Sequence, residues 1–402
     1  MNNFFNPKGE DRMTKLCIAI LTHSVNPRGG VVHAMQLAEA LHDLGHDVTL
    51  IAAAEPGKTF FRPTRCKTLL IPLPTLPTNF TESVGQRILA YSNYFAGPDA
   101  ESYDIYHAQD AISGCALADL TERGVIQNFI RTVHHLDHFD DIWLMDWQRW
   151  SFQAAEQVLC VSRDWRDKLS NDYGINARQI NNGVDTRRYT PTPQIGDDDL
   201  RKVLGLTRTG PLFLAVGGVE ARKNTLRIFT AFLEVLKQPP YAQLIIVGGA
   251  SLLDHSEYRQ QFDAAVADSG IEDQPGQALV MTGSLPDVDM PVLFRLADAL
   301  VFPSLTEGFG LVVLEAIASG TPVIVSARPP FTEYLKAHDC IWTDPEDSAA
   351  IAKAMHTAED FPKDSLPAIA QRLSAEFSWQ NSAHNHLNIY HSLLETRGTT
   401  HA

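Results

Sequence analysis

Two glutamates, Glu307 and Glu315, stand eight positions apart in FPSLTEGFGLVVLEAIASGTP, a stretch otherwise mostly apolar or glycine. A buried carboxylate is costly unless something pairs with it, so each needs a partner. Glu307 lies in the loop leaving a strand expected over Ala299–Pro303. Gly308-Phe309-Gly310 then opens a helix expected over Gly310–Ser319. The free N–H groups and dipole of a helix entrance favour an anion such as phosphate, and glycines let the backbone approach it closely. Glu315 falls inside the apolar helix. A ribose diol would satisfy it, because one carboxylate accepts two hydroxyl hydrogen bonds. A buried Arg or Lys would serve as well, with Glu307 then merely complementing the dipole.

Five more clusters sit where strands end. In AVGGVEARKN a strand closes at Gly217-Gly218, and Arg222 and Lys223 precede the next helix. Cations at that position oppose the helix dipole, a conflict that a bound diphosphate removes. NPRGGVVH places Gly29 and Gly30 at another helix opening, a second candidate for amide–phosphate contact, though a glycine in such a turn is common. TVHHLDHFDD offers His134, His135, His138 and Asp141. Their spacing matches no structural zinc pattern, so a hydrogen-bonding or acid–base histidine is preferred to a metal site. HAQD brings His107 and Asp110 to a further strand end. MTGSL, with Gly283 and Leu285, either clasps a nucleobase through its backbone or is a simple turn.

The elements that position these residues alternate. Strands are expected over 15–25, His46–Ala53, Thr68–Leu73, Tyr103–Ala108, Asn128–Val133 and Val158–Ser162, with helices at Val31–Leu44, Thr81–Phe95, Ile112–Arg123 and Asp141–Ala155. Strands then recur at Pro211–Val216, Gln243–Val247, Leu279–Thr282, Ala299–Pro303 and Pro322–Val325, with helices at Thr225–Lys237, His255–Ser269, Val288–Ala297 and Gly310–Ser319. Such alternation specifies parallel sheets covered by helices on both faces. Tyr189–Asp199 (YTPTPQIGDDD) reads as a linker. The expected fold is therefore α/β, two Rossmann-like domains facing across a cleft, with ligands at the carboxyl ends of the strands. The divisions are a disordered extension over 1–12, domains over 13–190 and 191–376, and a C-terminal helical segment over 377–402.

Length and composition agree. A chain of 402 residues exceeds one ordinary core. The net charge of −15 argues against nucleic acid as a partner. Five scattered cysteines without a CxxC pair point to free thiols in a reducing cytoplasm. No apolar run is long enough to span a bilayer.

Together these motifs resemble glycosyltransferase family 4, whose members have the GT-B fold. The family signature E-G-F-G-x-x-x-x-E matches Glu307 to Glu315, and its V-G-R-x-x-x-x-K-G pattern is similar to Val216–Asn224. Gly29-Gly30 followed by His33 at the first helix, Val161-Ser162 and Asn182–Asp185 (NGVD) are similar to the family as well. The resemblance implies a retaining transferase, without an essential metal or tightly bound cofactor, that moves a sugar from a UDP- or GDP-sugar to a hydroxyl of a small molecule or glycan. It implies that Lys223 contacts the diphosphate and Glu315 the ribose. Glu307 and the Phe309, Gly310 and Leu311 backbone would hold sugar and phosphates, and His134 would lie between donor sugar and acceptor. The donor side would also include Gly29, Gly30, Gly217, Gly218, Gly283, Leu285 and Gly308; the acceptor side His107, Asp110, His135 and His138. The C-terminal helix would cross back to the first domain. One position departs: the family arginine is Gly218 here, with Arg222, or less favourably Arg28, as the substitute. Two other readings remain: a nucleotide-sugar epimerase of the same fold, or a nucleotide-sugar-binding protein without turnover. The expected setting is cytoplasmic, as monomer or homodimer. A lipid acceptor at a membrane is disfavoured, because no basic amphipathic helix borders this face.

Overall fold

LFLAV is apolar at every position and QLIIV at all but its first, the pattern of strands buried on both faces. In the computed structural model, which describes residues 15–206, 210–249 and 256–400, they form two parallel sheets. The first contains β1 (Cys17–Thr22), β2 (Asp47–Ala54), β3 (Lys67–Pro72), β4 (Ile105–Ala108), β5 (Ile130–Val133), β6 (Gln157–Cys160) and β7 (Arg178–Gln179). Their order is β3-β2-β1-β4-β5-β6-β7. The intervening helices are α1 (Gly29–Asp43), α2 (Phe80–Phe95), α3 (Ala111–Glu122), α4 (Ile142–Gln153) and α5 (Arg163–Tyr173).

After α6 (Asp197–Val203) the second sheet gathers β8 (Leu212–Val216), β9 (Gln243–Val247), β10 (Leu279–Gly283), β11 (Ala299–Phe302), β12 (Val323–Ser326) and β13 (Ile341–Thr343). Its order is β10-β9-β8-β11-β12-β13. It is flanked by α7 (Thr225–Val235), α8 (Ser256–Ser269), α9 (Asp289–Leu296), α10 (Leu311–Ala318), α11 (Phe331–Tyr334), α12 (Ser348–Thr357) and α13 (Leu366–Glu376). The last helix, α14 (Trp379–Thr400), returns to the first sheet: Trp379, Ala383, Leu387, Tyr390 and Leu393 share a core with β1, β2 and α1.

Each sheet reverses its winding once, at β1/β4 and at β8/β11. A crevice opens at such a point beyond the strands' carboxyl ends. Glu307 follows β11 and Lys223 follows β8, so the second crevice collects them.

Several elements lie outside the sequence reading. Helix α5 shows only Trp165 and Leu169 buried, a stripe too thin for periodicity to find. The α6, α12 and α13 helices and the three-residue β13 are also additional. Tyr189–Asp199 is not a loose linker. Tyr189 is buried against Phe294, and the aspartates begin α6, where Asp197 accepts two bonds from Arg295 at 2.6 and 2.8 Å. The expected 1–12 extension, and His255 at the start of one expected helix, lie outside the described residues.

Candidate active site

Glu307 is buried, and both neighbouring cations converge on one of its oxygens. Lys223 Nζ donates to Oε1 at 2.7 Å and Arg222 Nη1 at 2.9 Å. Burial pushes this carboxyl up, but Lys223 and Arg222 outweigh it and hold the group below the usual carboxylate range. The Lys223 stem lies across Gly217, where a Cβ would come within 2.8 Å of it. Its ammonium stands 4.4 Å over the Phe302 ring. Gly218 explains the missing arginine. Its φ is +73°, and a Cβ there would press on the Gly248 and Gly249 carbonyls at 3.0 and 3.1 Å. A side chain is strained in that conformation, and Arg222 supplies the second cation beside Glu307. Glu220, which the sequence reading passed over, ties this group to the opposite sheet's loop. It pairs with Arg222 at 3.3 Å and with Arg28 at 3.6 Å.

Gly310, at φ +87°, starts α10 without a side-chain cap or an acid in the first turn. Helix α1, starting at Gly29, is likewise uncapped and has no acid in its first turn. Neighbouring α2, α3, α4 and α5 are instead capped by Asn79, Asp110, Asp141 and Ser162. The N–H groups at α10 and α1 therefore remain for an anion. The Phe309 ring turns inward, stacking on Tyr334 at 5.0 Å, and the Tyr334 hydroxyl donates to the Phe309 carbonyl. Leu311 packs against the cores of both sheets. Glu315 is only 8% exposed. Burial pushes its carboxyl up to about 7, against the pull of Arg188 and a hydrogen bond from Tyr189. Tyr189 belongs to the supposed linker, and Arg188 immediately precedes it. Gly283, at φ +64°, accepts a bond from Gly248 N–H, and Leu285 packs partly buried beside the second core.

The first sheet meets this loop directly. A Cβ on Gly308 would lie 2.2 Å from the His134 carbonyl oxygen, and one on Gly30 would touch the His134 ring at 3.4 Å. Trp165 Nε1 donates to the Glu307 carbonyl at 3.0 Å. Glu333, across the cleft from α5, accepts the N–H groups of Arg163 and Asp164 at 2.7 and 2.8 Å. His134 Nε2 pairs with Gln109 Oε1 at 3.1 Å, and its ring meets His33 edge-on at 4.6 Å. Burial holds the His134 imidazole well below its ordinary range, so it is neutral.

The histidine expectations need correction. His107 does not open to the cleft. It lies inside β4, fully buried, with Nδ1 on the Tyr390 hydroxyl and Nε2 on Thr132 Oγ1, both at 2.7 Å. It braces α14. His138 stands away from the cluster, its side chain 89% exposed near Asp140. His135 is part-exposed, 3.5 Å from Asp137. Asp110 does reach the first sheet's crevice, but its oxygens accept the N–H groups of His23 and Ser113 at 2.6 and 2.8 Å. Asp141 caps α4 and accepts the Thr81 hydroxyl. Among the described residues no His, Cys, Asp or Glu group is arranged to hold a metal ion.

The chain resembles known proteins in both halves. Residues 196–369 match the model for Glycosyl transferases group 1, and residues 27–188 that for Glycosyltransferase Family 4. Over 243 residues the chain is 26% identical to mannosylfructose-phosphate synthase of Agrobacterium fabrum, which covers 58% of this chain and 52% of that protein. In structure it is similar to sucrose-phosphate synthase from Thermosynechococcus elongatus, with TM-score 0.75, 21% identity, and 94% and 99% of the two chains covered. It is also similar to Anabaena HepE solved with UDP and glucose, with TM-score 0.74, 18% identity, and 94% and 100% covered. The structural likenesses establish the fold. The chain spans about half the length of the curated relatives it matches.

Proposed function

The chain belongs to glycosyltransferase family 4, with the GT-B fold, and from that membership we propose that it transfers a sugar from a nucleoside-diphosphate sugar to a hydroxyl acceptor, retaining anomeric configuration. One observation carries the proposal: Glu307 joins Arg222 and Lys223 at the second sheet's crevice, while His134 of the first sheet abuts the same loop. In this reading the second domain holds the donor and the first the acceptor.

The leaving diphosphate gathers negative charge as the glycosidic bond breaks. Arg222, Lys223 and the uncapped entrance of α10 are fixed cationic and dipolar groups that stabilise that charge. The entrance of α1, with Gly29 and Gly30, approaches the same phosphates from the opposite side. Glu307 keeps the two cations in place through one oxygen and presents its carboxylate toward donor-sugar hydroxyls. Glu315, with Tyr189 beside it, accepts the ribose hydroxyls. Gly283 and Leu285 border the base. The reading assigns no carboxylate as a nucleophile, and the acceptor attacks on the face the diphosphate leaves. The departing phosphate oxygen takes the acceptor proton. Neutral His134 hydrogen-bonds the sugar at that junction. Charge neutralisation by these groups assigns no role to a metal ion. Among the described residues no helix is long and apolar enough to cross a membrane; the acceptor in this reading is a small molecule or glycan in the cytoplasm.

The test is a thermal-shift screen of nucleoside diphosphates and their sugars, with UDP first because HepE was solved with it. Transfer to an acceptor panel is then followed by NMR. Expected are stabilisation by one base over the others and an α-product from an α-donor. Epimer formed without acceptor, or tight binding without turnover across the panel, refutes transfer.

A further inference from the structure

The first sheet's crevice, at β1/β4, holds a cation that forms no ion pair among the described residues. Tyr91 of α2 reaches the ends of β1 and β2: its hydroxyl donates to the Thr22 carbonyl and accepts the Ala53 N–H. Arg87 lies one turn nearer the start of α2 on the same face. That step carries it beyond the strand ends, into the neighbourhood of Glu55 after β2 and Asp110 after β4. Yet among the described residues Arg87 makes neither an ion pair nor a side-chain hydrogen bond. Asp110 forms no ion pair with it; its two oxygens each accept one backbone N–H, from His23 and Ser113, and keep a further lone pair. Glu55 is exposed and makes no bond with it. Tyr91 has committed both its donor and its acceptor.

A guanidinium half withdrawn from water with no partner is unfavourable, and the fork geometry suits a phosphate or carboxylate bidentately. The geometry points to Arg87 as the recognition residue of an acceptor bearing an anionic group, a phosphate monoester or carboxylate, seated at the β1/β4 crevice. His23 and Asp110 line the same strand ends and are placed to meet the hydroxyls of that molecule. This inference rests on the transferase reading and specifies its substrate class. The bland alternative is an arginine whose stem merely covers Tyr91, with its head in solvent. That alternative predicts no dependence on acceptor charge.

The experiment compares wild type, Arg87→Gln and Arg87→Lys, each saturated with the nucleoside diphosphate found in the screen. Calorimetry and transfer assays use paired probes: glucose with glucose 6-phosphate and glucuronate, fructose with fructose 6-phosphate, and inositol with inositol 1-phosphate. A further arm pairs vesicles containing phosphatidylinositol 4-phosphate, whose headgroup carries a phosphate monoester, with vesicles containing phosphatidylinositol. Expected is a preference of wild type for an anionic member. In Arg87→Gln its KM and Kd rise about thirty- to a hundredfold, Arg87→Lys falls between, and nucleotide affinity is unchanged. Dependence on Arg87 with the soluble phosphates assigns a free sugar phosphate, with glucuronate alone a carboxylate, and with vesicles alone a lipid headgroup; each supports the inference. It is overturned if no anionic probe binds wild type more tightly than its neutral counterpart, or if Arg87→Gln leaves the preference intact. The two readings separate cleanly. Nucleotide-sugar turnover on neutral acceptors, equal in both proteins, defeats only this inference. Absence of any nucleotide binding defeats the transferase reading itself.

Discussion

Gly308→Ala tests whether transfer depends on close approach of the two sheets. The added Cβ would lie 2.2 Å from the His134 carbonyl oxygen, 3.1 Å from its carbon and 3.6 Å from Val161 Cγ2. The first two are backbone atoms at the end of β5 and cannot rotate aside. Carbon–oxygen contacts need at least about 3.0 Å, so the loop and the strand end must separate by about 0.8 Å. Alanine is otherwise acceptable there, because Gly308 is not among the positive-φ residues. The separation lengthens the Trp165–Glu307 bond, now 3.0 Å, and moves His134 from the donor. Misplacement by about 1 Å costs on the order of a hundredfold in rate, or about 2.7 kcal/mol. Nucleotide contacts within the second domain are untouched. The expected result is kcat lower by about fifty- to a hundredfold, nucleotide Kd within about threefold, and near-native thermal stability. The assay is initial-rate transfer beside nucleotide titration. A variant turning over within about threefold of wild type would refute the idea that this contact sets the reacting geometry.

Four other outcomes are expected. Glu307→Ala and Lys223→Ala each lower kcat by at least about a hundredfold, with circular dichroism showing the fold retained. Ribose binding requires ionised Glu315, whose carboxyl burial raises to about 7. Nucleotide Kd should therefore rise up to about tenfold per pH unit below that value, beyond the nucleotide's own titration, and Glu315→Gln should flatten this excess. Glu333→Ala leaves the Arg163 and Asp164 N–H groups of α5 without their acceptor across the cleft, the Ser162 cap remaining, and should cost about 1 kcal/mol in urea unfolding, with kcat reduced more than nucleotide affinity. Burial lowers the folded-state values of His33 to about 3 and His386 to about 4, so the unfolded chain binds more protons below the ordinary value of about 6.5. Stability is full above that pH and falls by up to about 1.4 kcal/mol per pH unit for each group until its folded value is reached. His386→Leu should shed one such share in pH-resolved urea titrations.

What the sequence disclosed was local. Glu307, Gly308–Gly310 and Glu315 were legible because acids and glycines in an apolar run conflict with ordinary packing. Arg222 and Lys223 stood out because cations oppose a helix start. Alternation of strand and helix gave both sheets. What stayed hidden depends on partners far along the chain: Trp165 meets Glu307 across 142 positions, Arg163 meets Glu333 across 170, and His107 meets Tyr390 across 283. No local pattern encodes such pairs. His107 was misplaced for a different reason. It lies one residue inside the end of β4, where alternation of faces turns it from the cleft into the layer beneath α14. Tyr189 was taken for linker because prolines follow it, while its own ring is core.

The chain passes between its two halves twice, and the two passages lie side by side. Val184 and Ser378 form a parallel bridge, and Val184 N–H donates to the Phe377 carbonyl at 2.9 Å. Gly183 is pressed so closely to Ser378 and Trp379 that a Cβ would sit 2.2 Å from the Trp379 nitrogen. Two ribbons laced together in this way act as a leaf hinge. They yield to bending across their width and resist both twisting and sideways slip. A swing of one half against the other would have to bend both ribbons at once, and Gly308 and His134 are in contact across the mouth that such bending would open. Severing α14 would leave a lone tether that is free to twist, so the register of the mouth depends on the hold of Trp379, Leu387 and Tyr390 on the first sheet.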